Sequence, residues 1–274
     1  MAPRIVPRRI DVTQVRRALD KDKPTGPAAR AVSTARAAAE LLRAPGPREL
    51  LHRRVAAPAP TPAAPADCEA GLARPADGDG AEIRLVVVGE STALGIGCTR
   101  PEEIFAAQLA QQLADREHRP VAWRTVAAAG ATVDYCTTHL LDRLARTPVD
   151  VVVVALGVND LIRGARPAAF ARDVEALATR IASLAPGAQV VLSGLPDPTR
   201  MPLLPRPLSS VLAIRAHALD KRLADAAHRH RLAHVPIRHL AIGPDDLASD
   251  GFHPGPTACR TWAAELLPAI TPAG

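Results

Sequence analysis

No stretch of the sequence is long and apolar enough to cross a bilayer: the longest uninterrupted apolar run, residues 151–158, is far below the ~20 residues that a spanning helix requires. That run reads instead as a buried strand. The N-terminus (MAPRIVPRRIDVTQ) has arginines but neither the apolar segment nor the small-residue cleavage site of a secretory leader, so a cytoplasmic protein is expected. The four cysteines, Cys68, Cys98, Cys136 and Cys259, form no CxxC pair and no Cys/His spacing suited to zinc, which excludes a zinc module and leaves reduced thiols in packing roles. Aromatic residues make up only 2% of the chain, and lysine is confined to Lys21, Lys23 and Lys221 against 31 arginines; both biases suit a GC-rich genome.

What is present divides into two parts. Residues 1–80 hold 14 Lys+Arg and 9 Asp+Glu, whereas residues 81–274 hold 20 and 19, so five of the six excess positive charges lie in the first part. The near-neutral remainder lacks the basic surface that phosphate backbones select, and no nucleic acid is expected as a partner. The first part is rich in Pro, Ala and Arg. Its run APAPTPAAPA (residues 57–66) favours extended conformations, and an alanine-rich helix candidate at residues 27–43 carries too few large apolar residues to build a core. Residues 1–80 are therefore expected to be a largely disordered arm and linker, whose basic character could bring it to an acidic membrane surface or partner. Residues 81–274 are expected to form the folded domain.

Beyond residue 80, short β-branched runs alternate with helical stretches, the rhythm of α/β folds. Strand candidates cover residues 84–88, 121–127, 150–155, 189–193 and 233–237; helix candidates cover 101–116, 132–146, 167–184, 209–231 and 256–270. The third strand (VDVVVVAL) is apolar on both faces, as in a sheet covered on both sides. Thr99 and Glu102 form a capping-box pattern ahead of the first helix, with Pro101 at its start. Five strands with interleaved helices imply a five-stranded parallel sheet with right-handed crossovers.

In such sheets ligands bind at the carboxyl ends of the strands, so the loops after each strand are the places to search for chemistry. After the first strand comes GESTALGIG (residues 89–97). It has no GK[ST] ending and its glycines do not fit GxGxxG, which excludes a phosphate loop. Ser91 stands there two residues past the strand, where backbone N–H groups can stabilise developing negative charge. A serine needs a neutral imidazole to take its proton, and the imidazole works best when a carboxylate orients it. Of the nine histidines, His228, His230, His234 and His239 lie in or beside Arg-rich stretches and read as solvated faces. His253 lies in ASDGFHPGP, three residues after Asp250, a spacing that lets the carboxylate reach imidazole Nδ1 around a turn. Two more loops qualify. AAAGATV offers Gly130, either a backbone N–H donor or a turn glycine, and ALGVNDLI offers Asn159, either an oxyanion donor or a helix cap, with Asp160 beside it in a structural role.

These four segments resemble the blocks of the SGNH hydrolase superfamily, the GDSL-type esterases and lipases, in which Ser, Gly, Asn and His follow in that chain order. The matching positions are Ser91, Gly130, Asn159 and His253, with Asp250 and His253 as the DxxH pair and Gly157 to Asp160 as the GxND block. Glu90 stands where the family usually has Asp. The resemblance implies a flavodoxin-like three-layer α/β/α sandwich that hydrolyses carboxylic esters through an acyl-enzyme, without metal or cofactor. His253 would deprotonate Ser91, Asp250 would hold the imidazolium, and Ser91, Gly130 and Asn159 would form the oxyanion hole. The substrate would be a small-molecule or lipid ester, with a short to medium acyl chain or a sugar acetate. Met201, Leu203 and Leu204, in the Pro-rich loop after the fourth strand, are candidates for the acyl pocket. An α/β-hydrolase would need Gly where Ala93 stands. An acyltransferase using the same acyl-enzyme and a non-catalytic binding protein on the same fold remain open at this point.

Overall fold

A computed structural model describes residues 61–78, 80–204 and 206–272. The helix candidate at residues 27–43, the first part of the low-complexity run, and most of the arm lie outside the described residues.

Six strands form one mixed sheet: β1 (Ala70–Ala73), β2 (Ile83–Gly89), β3 (Val121–Ala127), β4 (Val151–Ala155), β5 (Gln189–Ser193) and β6 (Ala233–Val235), in the order β1-β3-β2-β4-β5-β6. The five expected strands are all present and parallel to one another. β1 is additional and antiparallel, and it comes from the stretch that composition assigns to the linker. Its residues, AGLA, have little strand propensity of their own. What fixes them is β3: Gly71 lies flat on Trp123, where a Cβ would come within 2.7 Å of the ring, and Thr125 N–H donates to Glu69 O at 2.8 Å.

The main helices are α1 (Phe105–Glu117), α2 (Val133–His139), α3 (Val158–Ile162), α4 (Pro167–Leu184), α5 (Leu208–His230) and α6 (Pro256–Leu266). Alternation along the strands divides the core. Leu85, Val87, Val151 and Val153 face α1 and α6, while Val86, Val88, Val152 and Val154 face α2, α4 and α5. With few aromatics to use, the first face concentrates three of them, Phe105, Trp123 and Trp262: Phe105 of α1 stacks on Trp262 of α6 at 4.0 Å, and Trp262 Nε1 donates to buried Ser193 Oγ at 2.9 Å.

Several helix starts and ends differ from expectation. The stretch 101–116 is a 3-10 turn, Pro101–Glu103, followed by α1, and the carboxylate that caps it belongs to Glu103 rather than Glu102. Glu103 Oε2 accepts from Thr99 N, Thr99 Oγ1 and Arg100 N at 3.0–3.1 Å. The stretches 132–146 and 256–270 likewise end in 3-10 turns, Leu141–Arg146 and Leu267–Ala269. Among the described residues no helix is long and apolar enough to cross a membrane.

β2 is flanked by β3 on one side and β4 on the other, so the chain winds away from it in both directions. The crevice beyond its carboxyl end is the position at which this sheet topology binds ligands. The register brings Gly89, Ala127 and Ala155 level there, and three of the loops identified from sequence leave the sheet side by side.

Candidate active site

Ser91 follows β2 by two residues and opens a set of tight turns in which Ala93 N bonds Glu90 O and Ile96 N bonds Ser91 O. The Ser91 loop meets the loop before α6 at Gly97. There φ is +110°, and a Cβ would stand 2.4 Å from Pro254 O, so only glycine allows the two loops to touch.

That contact brings His253 to Ser91. His253 Nε2 is 3.0 Å from Ser91 Oγ, and His253 Nδ1 is 2.6 Å from Asp250 Oδ2. The other Asp250 oxygen accepts the N–H groups of Phe252 and His253, both at 3.0 Å, which closes the three-residue turn. Burial pushes the Asp250 carboxyl up, but the imidazole and these two N–H groups more than offset it and hold the group below the ordinary aspartate range. A carboxylate, an imidazole and a hydroxyl in unbroken series can move a proton away from the hydroxyl.

Gly130 and Asn159 line the same cleft as Ser91 and His253, a space of about 240 Å³. Gly130 has φ +75°, and its carbonyl is held by Arg163 Nη2 at 2.6 Å, fixing the peptide plane. Among the described residues the backbone N–H groups of Ser91 and Gly130 have no acceptor, so both remain available to a ligand oxygen. Asn159 does not leave directly from a strand; it lies in the first turn of α3. Its side-chain amide donates one hydrogen to Glu90 Oε2, which leaves the second for a ligand.

Glu90 is the residue whose role sequence reading missed. It is 3% exposed, and its carboxylate also accepts from Val158 N and Asn159 N, each at 3.1 Å. Burial pushes its carboxyl up to about 8, against the backbone donors that favour the ionised form. Asp160, also buried, receives Val133 N at 3.1 Å and ties α2 to α3; burial raises it to about 6.

An apolar cavity of about 90 Å³ adjoins the cleft, sharing Glu90, Thr92, Val158 and Phe252 with it. Of the three acyl-pocket candidates only Met201 lines it. Leu204 is packed into the core, and Leu203 instead donates its N–H to Gly251 O at 3.3 Å. Further apolar wall comes from Leu156, Ile237, Leu240, Ile242, Leu247 and Trp262, among others. Among the other histidines, His234 departs from the expected solvated face. Its side chain is 12% exposed and sits 3.1 Å from Asp220 Oδ1, which also receives Leu195 N. His230 pairs with Glu175. Among the described residues no group of three or more His, Cys, Asp or Glu is placed to hold a metal ion.

Residues 87–260 match the model of the GDSL-like Lipase/Acylhydrolase family. The GDSL-like esterase Rv1075c of Mycobacterium tuberculosis is 29% identical over 197 residues, which cover 68% of this chain; the chain spans 60% of the length of that relative. Among solved structures, TesA superposes with a TM-score of 0.54 at 23% identity, covering 69% of this chain and 98% of its own. An acetyl xylan esterase from Geobacillus stearothermophilus gives 0.54 at 15%, covering 72% and 99%.

Proposed function

The chain belongs to the GDSL-like lipase/acylhydrolase family, and we propose that it is a serine esterase acting on carboxylic esters with a short apolar acyl group. The observation that carries this reading is the series Asp250–His253–Ser91, with separations of 2.6 and 3.0 Å, opening on the cleft that holds Gly130 and Asn159. In this mechanism His253 Nε2 takes the proton of Ser91, and the Ser91 oxygen attacks the ester carbonyl. Asp250 stabilises the imidazolium and keeps the ring oriented. The tetrahedral oxygen is received by the N–H groups of Ser91 and Gly130 and by the free hydrogen of the Asn159 amide. His253 returns the proton to the departing alkoxide, and water then repeats the sequence on the acyl-enzyme.

The acyl group occupies the apolar cavity beside Met201, Phe252 and Trp262. At about 90 Å³ it is smaller than the ~150 Å³ void that accommodates benzene, which favours short acyl groups such as acetyl to butyryl. A panel of p-nitrophenyl esters of increasing acyl length tests this directly. Hydrolysis is expected to peak at short chains and to vanish in Ser91→Ala; turnover near the wild-type rate in that variant would overturn the assignment.

A further inference from the structure

We propose that residues 61–69 are a fixed wall of the substrate cleft, and that Thr61 is the residue in this wall that meets the alcohol portion of the ester. The proposal rests on the esterase reading above and adds the side of the substrate that reading leaves unassigned.

Composition alone makes this segment a linker, yet it is attached to the nucleophile loop at two points. Cys68, which is buried, donates its thiol to Leu94 O at 3.1 Å. Pro65 packs so closely on Gly95 that a methyl group at Gly95 would come within 3.3 Å of its Cδ. Leu94 and Gly95 follow Ser91 by three and four residues, so the segment is anchored to the loop that carries the nucleophile. Past Cys68 the chain enters the sheet through Glu69 O and β1, which fixes the other end. Ahead of these anchors, Pro62 and Pro65 each lock one backbone torsion, which reduces the freedom that residues 61–64 have to lose when a substrate binds.

The consequence is at Thr61. It lines the same cleft as Ser91, Gly130, Asn159 and His253, and it is exposed there. With the acyl group in the apolar cavity, the rest of the ester must lie in this cleft, because His253 Nε2 has to reach the departing oxygen. Thr61 and Ile96 are then the cleft residues, outside the reacting groups and their immediate neighbours, that bound the space for the alcohol.

The test uses the full chain and acetate esters of alcohols of increasing size, from methyl to naphthyl. All of these esters give the same acyl-enzyme, so an effect on the alcohol appears in kcat/KM, with kcat common to the series where deacylation limits. In Thr61→Trp the ratio of kcat/KM for naphthyl acetate to that for methyl acetate is expected to fall about tenfold, and at least threefold, relative to wild type. The preference among acyl chain lengths is expected to stay where it is, as is the melting temperature, since Thr61 is exposed. Thr61→Ala should keep the wild-type ratio or raise it. A ratio changed less than threefold in Thr61→Trp overturns the proposal while leaving the esterase reading intact, and so does a shift confined to acyl preference. A wild-type protein that cleaves none of these esters overturns both.

Discussion

The buried carboxyl of Glu90 receives a hydrogen of the Asn159 amide, so the residue immediately before Ser91 sets the orientation of an amide that stands 69 positions further along the chain. The two N–H groups that open α3, Val158 and Asn159, bind the same carboxylate at 3.1 Å, which fixes the backbone as well as the side chain. In the proposed mechanism Glu90 is therefore a positioning residue: it is not one of the reacting groups, and its hydrogen bond decides where the second amide hydrogen points. Where the neutral carboxyl carries one hydrogen that can turn away, Gln puts a fixed two-hydrogen NH₂ group against either Val158 N–H or the two Asn159 donors, and the Asn159 amide is expected to turn. Glu90→Gln should lower kcat at least tenfold with KM nearly unchanged, and Glu90→Asp should recover part of the loss. Equal damage from both, with KM rising, would show that Glu90 only supports the fold.

Asn159 itself can be tested against the alternative that it only caps α3. An oxyanion donor matters when charge develops, so Asn159→Ala should lower kcat by roughly 10² to 10³ with little effect on KM. Asn159→Asp should be at least as harmful, because it adds a second carboxylate beside buried Glu90 and places negative charge where the oxyanion forms. An active Asn159→Asp enzyme would remove the residue from the oxyanion hole.

Much of this arrangement is legible in the sequence, for a definite reason. Ser91, Gly130 and Asn159 each follow an apolar strand by a few residues, so strand ends located from hydrophobic runs also locate the site. Asp250 and His253 are separated by one turn and declare themselves locally. The role of Glu90 is not visible, since its partners depend on β2 and β4 lying side by side. The apolar cavity is equally hidden: its walls come from separate segments around residues 158, 201, 237–247, 252 and 262, and only Met201 of the three candidates lines it. β1 is not legible either, because AGLA becomes a strand only against Trp123 and Thr125 of β3. His234 is misread for a similar reason: Arg-rich neighbours in sequence say nothing of Asp220 across the α5 interface.

The placement of residues 61–78 predicts that truncation will have two different effects. A chain starting at residue 61 keeps β1, buried Cys68 and buried Ala73; one starting at residue 81 loses all three and uncovers Trp123. The second should be less stable than the first by at least ~2 kcal/mol, or about 4–8 °C in Tm for a domain of this size. Thermal unfolding of the two forms checks this, and equal midpoints would mean that β1 adds nothing to the fold.

The buried carboxyls also set a dependence of stability on pH. Glu90 is pushed up to about 8 and Asp160 to about 6, both above the ~4 of a carboxyl in an unfolded chain. In the window between, the folded state retains protons that the unfolded state has released, so stability is full below about pH 4 and declines as pH rises. Asp150, held down chiefly by its hydrogen bonds from Arg84, and Asp250 work in the opposite sense: their contribution is present above about pH 4 and lost on acidification. Tm should therefore be highest near about pH 5 and fall towards about pH 8.5. Glu90→Gln should flatten the alkaline side, and an unchanged slope there would show that Glu90 is not the group that titrates.

Asp250 performs two tasks with two oxygens, and Asp250→Asn separates them. Oδ2 holds His253 Nδ1, while Oδ1 holds the N–H groups of Phe252 and His253. An amide has one acceptor and one donor end. If its oxygen keeps the two backbone N–H groups, its NH₂ faces Nδ1, which must then carry no proton, and the tautomer places hydrogen on Nε2 against Ser91. That imidazole cannot accept the serine proton. If the amide turns, Nδ1 regains an acceptor but the NH₂ opposes both backbone N–H groups and the turn that carries His253 loosens. Either way kcat should fall, in the first case by roughly 10⁴, the order seen when the same exchange is made in the serine protease triad. The two outcomes differ in Tm: the first leaves it near wild type, and the second lowers it by several degrees. An Asp250→Asn enzyme with kcat within tenfold of wild type would show that the carboxylate does not govern the tautomer of His253.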